Sequence, residues 1–173
     1  MNYFAQESSR LKFRQLTLDD IESWMEFFDE KRGLEYLGID LSKDDRTLAT
    51  DWINKQLERY NNEGLGHLAA VEKSSGQFIG MGGIIPRVIN GKHVFEIAYS
   101  IKPQFRQLGF ATEIARQMKN FGFKSKIADS FISIIHKNNI PSLKVAINNG
   151  MEQLYESEFL GMDVYIFGNP ETF

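Results

Sequence analysis

The residues RQLGFAT (Arg106–Thr112) join an alternating run, VFEIAYSI (Val94–Ile101), to a stretch of helical periodicity. A helix N-terminus presents unpaired backbone N–H groups at the positive end of its dipole. Glycine at position 109 allows a sharp turn and lets a ligand come close to the backbone. Arg106 adds charge, the Thr112 hydroxyl adds a donor, and Ala111 is too small to fill a cradle. Such a loop suits an anion, and a pyrophosphate is the natural size. The same residues also make an ordinary turn and helix start, so the loop alone leaves both readings open. GMGG (Gly80–Gly83) lacks the third glycine of GxGxxG and opens no helix, which argues against a dinucleotide fingerprint.

Glu96 is the carboxylate with the best claim to proton transfer. Strand alternation puts Val94, Glu96, Ala98 and Ser100 on one face, and Phe95, Ile97, Tyr99 and Ile101 on the other. The bulk of the second set marks it as the core face. Glu96 then shares its face with small residues that can border a cleft. The rival reading is a solvated carboxylate on the outer sheet face, an equally common fate for glutamate. His136 at a strand end and Glu156 or Glu158 near the C-terminus are weaker candidates, read first as hydrogen-bonded or surface groups. Trp24, Phe27 and Phe28 read as core, with a wall of an acceptor site as the alternative.

The elements that position these groups are legible from periodicity and punctuation. Leu11–Leu16 alternates as a strand, and Asp20 onward is helical, with Ile21, Trp24, Met25 and Phe28 on one stripe. A second helix covers Asp45–Asn61 and ends at the glycines of EGLG. SSG (Ser74–Gly76) and NG (Asn90–Gly91) divide the next segment into three antiparallel strands, His67–Glu72, Phe78–Arg87 and His93–Ile101. A helix over Gly109–Gly122 and a short strand at Ser130–His136 follow. A compact helix then has Asn139 as N-cap, Pro141 in its first turn and Gly150 beyond its end. Strands at Gln153–Phe159 and Asp163–Phe167 finish an α/β chain, with a mostly antiparallel mixed sheet flanked by helices. No repeat or linker divides residues 1–173, so a single domain is expected.

Composition narrows the function. The chain has 173 residues, no cysteine and a formal charge of −3. No cysteine means no disulfide framework, thiolate zinc site or cysteine nucleophile. The three histidines, His67, His93 and His136, lack metal-ligand spacing, so no metal is expected. No basic run suggests nucleic acid, and no apolar run is long enough to span a bilayer. The N-terminus has no signal-peptide pattern, so a cytoplasmic protein is expected.

Together, RQLGFA (Arg106–Ala111), NNIPSLKVAINNGM (Asn138–Met151), EIAYSI and the element order resemble the GNAT N-acetyltransferase superfamily. They are most similar to its RimJ/RimL-like branch, the ribosomal-protein alanine acetyltransferases. The resemblance implies acetyl-CoA as cosubstrate, with its pyrophosphate on Arg106, Gln107, Leu108, Gly109, Phe110, Ala111 and Thr112. It implies that Tyr99, Ser100 and Ile101 pair with the pantetheine arm where their strand splays from Ser130–His136. Asn139 and Ser142 would then lie near the pantetheine and thioester. The acceptor would be a primary amine, on a protein N-terminus or a small molecule, attacking directly in a ternary complex with Glu96 as base. An oxyanion donor is expected from a backbone N–H near Ala98–Ser100. Many relatives carry a tyrosine general acid at the position of Ala146, which is absent here, so Ser142 is the expected assistant to the thiolate. The competing reading of Ser142 is helix capping. That missing tyrosine also motivates an alternative function, a non-catalytic sensor of CoA or a nucleotide. Either a monomer or a homodimer fits the sequence.

Overall fold

The computed structural model describes residues 2–169, in the order β1 (Leu11–Arg14), α1 (Asp20–Trp24), α2 (Asp45–Glu63), β2 (Gly66–Glu72), β3 (Phe78–Ile89), β4 (Lys92–Ile101), α3 (Phe110–Lys124), β5 (Ile132–His136), α4 (Ile140–Asn148), β6 (Glu152–Phe159) and β7 (Met162–Gly168). The strands form one seven-stranded sheet in the order β1-β2-β3-β4-β5-β7-β6. This is the expected α/β class, with every predicted strand and helix present.

Local chemistry explains most boundaries. The Asp44 carboxylate accepts the Thr47 amide at 3.0 Å and starts α2, and Gly64 ends it in the left-handed region. Asn139 caps α4 by accepting the Ser142 amide at 3.3 Å. Asn90 and Gly91 both take positive φ in the β3–β4 hairpin, as the Asn-Gly pair predicts.

The first helix is shorter than its periodicity predicts. After five α residues the chain tightens into a 3₁₀ turn at Met25–Phe28. A 3₁₀ turn eclipses residues three apart. Trp24 and Phe27 use that geometry to stack, with centroids 4.6 Å apart and rings 8° from parallel. Trp24, Phe27 and Phe28 are all buried, so they are core and not an acceptor wall.

One join in the sheet differs from the rest. Neighbouring strands are antiparallel except β4 and β5, which are parallel and meet at a single register pair, Glu96↔Ile132. The Ser133 hydroxyl then donates to the Ile97 carbonyl at 2.9 Å, and beyond that bond the two strands part.

The glycines of GMGG lie inside β3 and serve packing. A Cβ on Gly83 would sit 2.0 Å from the Gly66 carbonyl oxygen, and one on Gly82 would sit 2.3 Å from Ile114 Cγ2. Gly83→Ala would press on the Gly66 peptide group, which is backbone, and on the buried Tyr3 hydroxyl, so relief needs a strand shift. We expect it to destabilise the fold by about 1–3 kcal/mol, the range for overpacked interiors. Urea unfolding of the variant checks this, and an unchanged midpoint contradicts it.

Candidate active site

The parting of β4 and β5 opens a cleft of about 350 Å³. Its lining brings together Glu96, Ala98, Tyr99 and Ser100 of β4, the end of β5, and Asn139 and Ser142 at the start of α4. Alternation along β4 decides which backbone groups face this opening. The Ile97 carbonyl points toward β5, whereas the Lys102 amide donates to Ile79 on the β3 side. Odd-numbered residues therefore turn their peptide groups to the slot, leaving the Tyr99 N–H and C=O and the Ile101 N–H on its edge.

The glycine loop lies beyond the end of β4. Among the described residues, the amides of Gln107, Leu108, Gly109, Phe110, Ala111 and Thr112 have no acceptor, and the Glu113 amide is the first to bond, to the Gly109 carbonyl. Gln107 and Gly109 take φ of +61° and +81°, which turns successive amides toward one side. A Cβ on Gly109 would meet only the Arg10 guanidinium, at 3.5 Å, so the loop is open there.

The Arg106 side chain is engaged elsewhere. Its Nε donates to the Ile101 carbonyl at 3.1 Å and its Nη1 to Glu30 at 3.0 Å. Arg106 thus ties the end of β4 to the loop, and the open groups of the cradle are backbone amides. The residue that braces the loop was not apparent from sequence, because it lies in the N-terminal segment. Arg10 donates from Nη1 to the Leu108 carbonyl and from Nε to Glu113, and lies 4.1 Å above the Phe110 ring.

Glu96 lies on the cleft wall and is 7% exposed. Its Oε2 accepts from Arg87 Nε at 2.7 Å, which leaves Oε1 for another partner. The Ser142 hydroxyl lies 3.1 Å from the Tyr99 phenol oxygen, and the phenol also reaches the Ser142 carbonyl at 3.0 Å. Burial raises the phenol's pKa well above its ordinary value, so it stays protonated as a donor. The sequence assigns the Tyr99 side chain to the core and, by resemblance, its backbone to the pantetheine arm, and neither reading includes this contact. Its phenol reaches α4 from the face opposite Glu96, and the missing tyrosine at Ala146 was the available signal.

The weaker candidates separate clearly. His136 lines the cleft, but its Nδ1 accepts the Asn138 amide at 3.1 Å and its ring stacks on Tyr36. A neutral ring in that tautomer carries its proton on Nε2 and has no free nitrogen to act as base. Glu156 pairs with Lys137 at 2.6 Å on the surface, and Glu158 is exposed. Among the described residues no cluster of His, Cys, Asp or Glu could hold a metal.

Comparison with known proteins bears on the family and the fold. The family model described as "Acetyltransferase (GNAT) domain" matches residues 10–152. The chain is 29% identical over 107 residues to YkkB of Bacillus subtilis (strain 168), a match spanning 62% of each chain and so less than two thirds of that relative. An acetyltransferase structure from Agrobacterium tumefaciens str. C58 superposes with a TM-score of 0.76 at 20% identity, covering 95% of this chain and 92% of that one. RimL, a ribosomal α-N-protein acetyltransferase in complex with coenzyme A, superposes with a TM-score of 0.73 at 12% identity, covering 95% and 96%. At these identities the superpositions establish the fold.

Proposed function

Because the chain belongs to the GNAT acetyltransferase family, we propose that it moves the acetyl group of acetyl-CoA to a primary amine by direct attack. The observation that carries this reading is the row of six unpartnered amides from Gln107 to Thr112, beside a slot between parting strands. Those amides suit the pyrophosphate, and the slot-facing groups of Tyr99 and Ile101 suit an amide-bearing arm. Acetyl-CoA supplies an activated acyl group on a thiol that leaves readily.

This chain's residues account for the remaining tasks. Glu96 takes the acceptor's proton through Oε1 while Arg87 holds the other oxygen. The Tyr99 N–H is the donor placed to meet negative charge on the reacting oxygen. Tyr99 and Ser142 together replace the tyrosine absent at Ala146: the phenol holds the serine, and the serine hydroxyl meets the departing sulfur. Ala146 therefore gives no reason to prefer a non-catalytic sensor. Asn139 spends its Oδ1 on the helix cap, which leaves Nδ2 as its donor toward the cleft.

In this reading residues 1–173 act as one domain, in the cytoplasm, within the RimJ/RimL-like branch, and no metal takes part. The acceptor is a protein N-terminus or a small-molecule amine. A monomer suffices for the site, and β6, at one edge of the sheet, is the strand available for pairing in a homodimer. No described helix is long and apolar enough to cross a membrane.

Isothermal titration with acetyl-CoA, with ATP and NAD as controls, tests the reading directly. Selective micromolar binding followed by CoA release with an amine panel is the expected result. No binding to acetyl-CoA removes the proposal. Ser142→Ala is expected to lower kcat by about tenfold, less than the usual acid–base contribution because a thiol of pKa ~8.5 leaves tolerably unaided. Tyr99→Phe should lose a similar factor, and the double variant little more. Acetyl-CoA affinity should hold in all three; a fall in affinity with kcat preserved would reassign the pair to binding.

A further inference from the structure

The α2 side of the cleft carries a cationic cluster for which the acetyl-transfer steps have no use. Lys55 and Arg59 stand one helical turn apart on α2, and both line the cleft with Arg87 and His67. Arg87 is committed to Glu96. Arg59 is half-buried, and its one side-chain bond among the described residues is to the neutral Gln56 Oε1 at 3.1 Å. Lys55 makes no hydrogen bond or ion pair to a described residue. Lys55, exposed at the rim of the cleft, and half-buried Arg59 each lose some affinity for a proton, first through desolvation and then through the like charges beside them. Glu58, Glu63 and Glu96 oppose that repulsion on Arg59, yet none of them pairs with it.

His67 supplies an independent observation. Register pairs His67 with Gly83 and Gly83 with Ala98, so these three form one row across the sheet. Paired residues share a face, which puts the His67 ring on the same side as Ala98 and Glu96. The ring is 7% exposed, and Trp52 Nε1 donates to its Nδ1 at 3.3 Å. Its proton therefore sits on Nε2, which is buried with no partner. Burial, with Arg59, Arg87 and Lys55 adding to it, pushes the imidazole down to about 3. The ring is thus a neutral donor among cations. An unmade buried hydrogen bond and a group of like charges both cost stability, and one incoming oxyanion would relieve both.

We infer that the acceptor amine carries an oxyanion, a carboxylate or a phosphoryl group, held by Arg59, Lys55 and the His67 Nε2–H on the α2 wall of the cleft. The inference deepens the acetyl-transfer reading and rests on it. Two strand spacings separate His67 from Ala98, about 10 Å, so amine and anion are joined by a short chain. Trp52 beside the imidazole and Phe159, whose ring lies 5.3 Å from the Arg87 guanidinium, give that chain apolar walls.

The test uses matched acceptors on the full-length protein with acetyl-CoA. ω-Aminoalkyl carboxylates of two to six carbons are compared with their carboxamides, and aminoalkyl phosphates with the parent amino alcohols. The two pairs distinguish carboxylate from phosphoryl recognition. At least about a tenfold preference in kcat/KM for one anionic series, collapsing toward parity in Arg59→Gln, is the expected result. Equal or faster turnover of the uncharged partners overturns the inference, as does a preference that survives Arg59→Gln. A second measurement does not depend on turnover: inorganic phosphate and 4-aminobutanoate are titrated into protein carrying ¹⁵N-labelled histidine. Saturable movement of the His67 Nε2 resonance, lost in Arg59→Gln, supports the site, and a still resonance overturns it. Failure to bind acetyl-CoA would instead remove the transferase reading and leave this titration to decide the anion site.

Discussion

Replacing Gly109 with glutamate is expected to weaken acetyl-CoA binding by at least about a hundredfold while leaving the protein folded. Two separate effects lead to that figure. Gly109 sits at φ +81°, where a residue with a Cβ is strained by about 1–2 kcal/mol. The loop relaxes that strain by turning its amides away from their common direction, so several donors are lost at once. The new carboxylate also stands at the helix start, where the proposed pyrophosphate would meet like charge. A loss of about 2.7 kcal/mol, the equivalent of a hundredfold, needs only one or two charge-assisted hydrogen bonds. Stability should fall only by the strain, because a Cβ there meets nothing closer than Arg10 at 3.5 Å. Titration calorimetry beside a melting curve separates the two. Undiminished affinity in a well-folded variant would show that the loop is merely a helix start. Gly109→Ala carries strain without charge and should fall between wild type and glutamate.

The fold was legible where local chemistry decides it. Asn90–Gly91 dictates its own turn, Asn139 its own cap, and the alternation in β4 assigns Glu96 to the side that opens. The shortened first helix was not legible, because its tightening follows from stacking Trp24 on Phe27 within the core and not from helix propensity. The loop shows the same division. Its backbone role could be read from Gly109, but the direction of Arg106 depends on Glu30, seventy-odd residues away in the chain. Tyr99 was placed on the right face, yet its contact with Ser142 joins two elements that periodicity treats separately. The cations of the α2 wall are the extreme case. Nothing in the spacing of Lys55 and Arg59 on α2 singles them out, and only the packing of α2 beside β2 brings His67 into the same cleft wall.

Glu96→Gln is expected to lower kcat/KM at pH 7 by about a hundredfold with acetyl-CoA affinity unchanged. An alkylammonium of pKa ~10 presents about one free amine in a thousand at that pH, and a positioned base typically contributes 10²–10⁴. The competing account is that Glu96 exists to orient Arg87, to which it is bonded at 2.7 Å. Glutamine answers that account well, because its amide oxygen still accepts from the arginine Nε. Loss of orientation alone should therefore be small and independent of pH. Loss of a base should be large at neutral pH and should shrink as the pH approaches the acceptor's own pKa, where the amine arrives already deprotonated. The ratio of wild-type to variant rate across pH 6 to 10 thus reads the role directly. A flat ratio would remove Glu96 from the chemistry and return it to holding Arg87. A falling ratio would assign Glu96 the proton, and Oε1 is the oxygen that Arg87 leaves open to receive it.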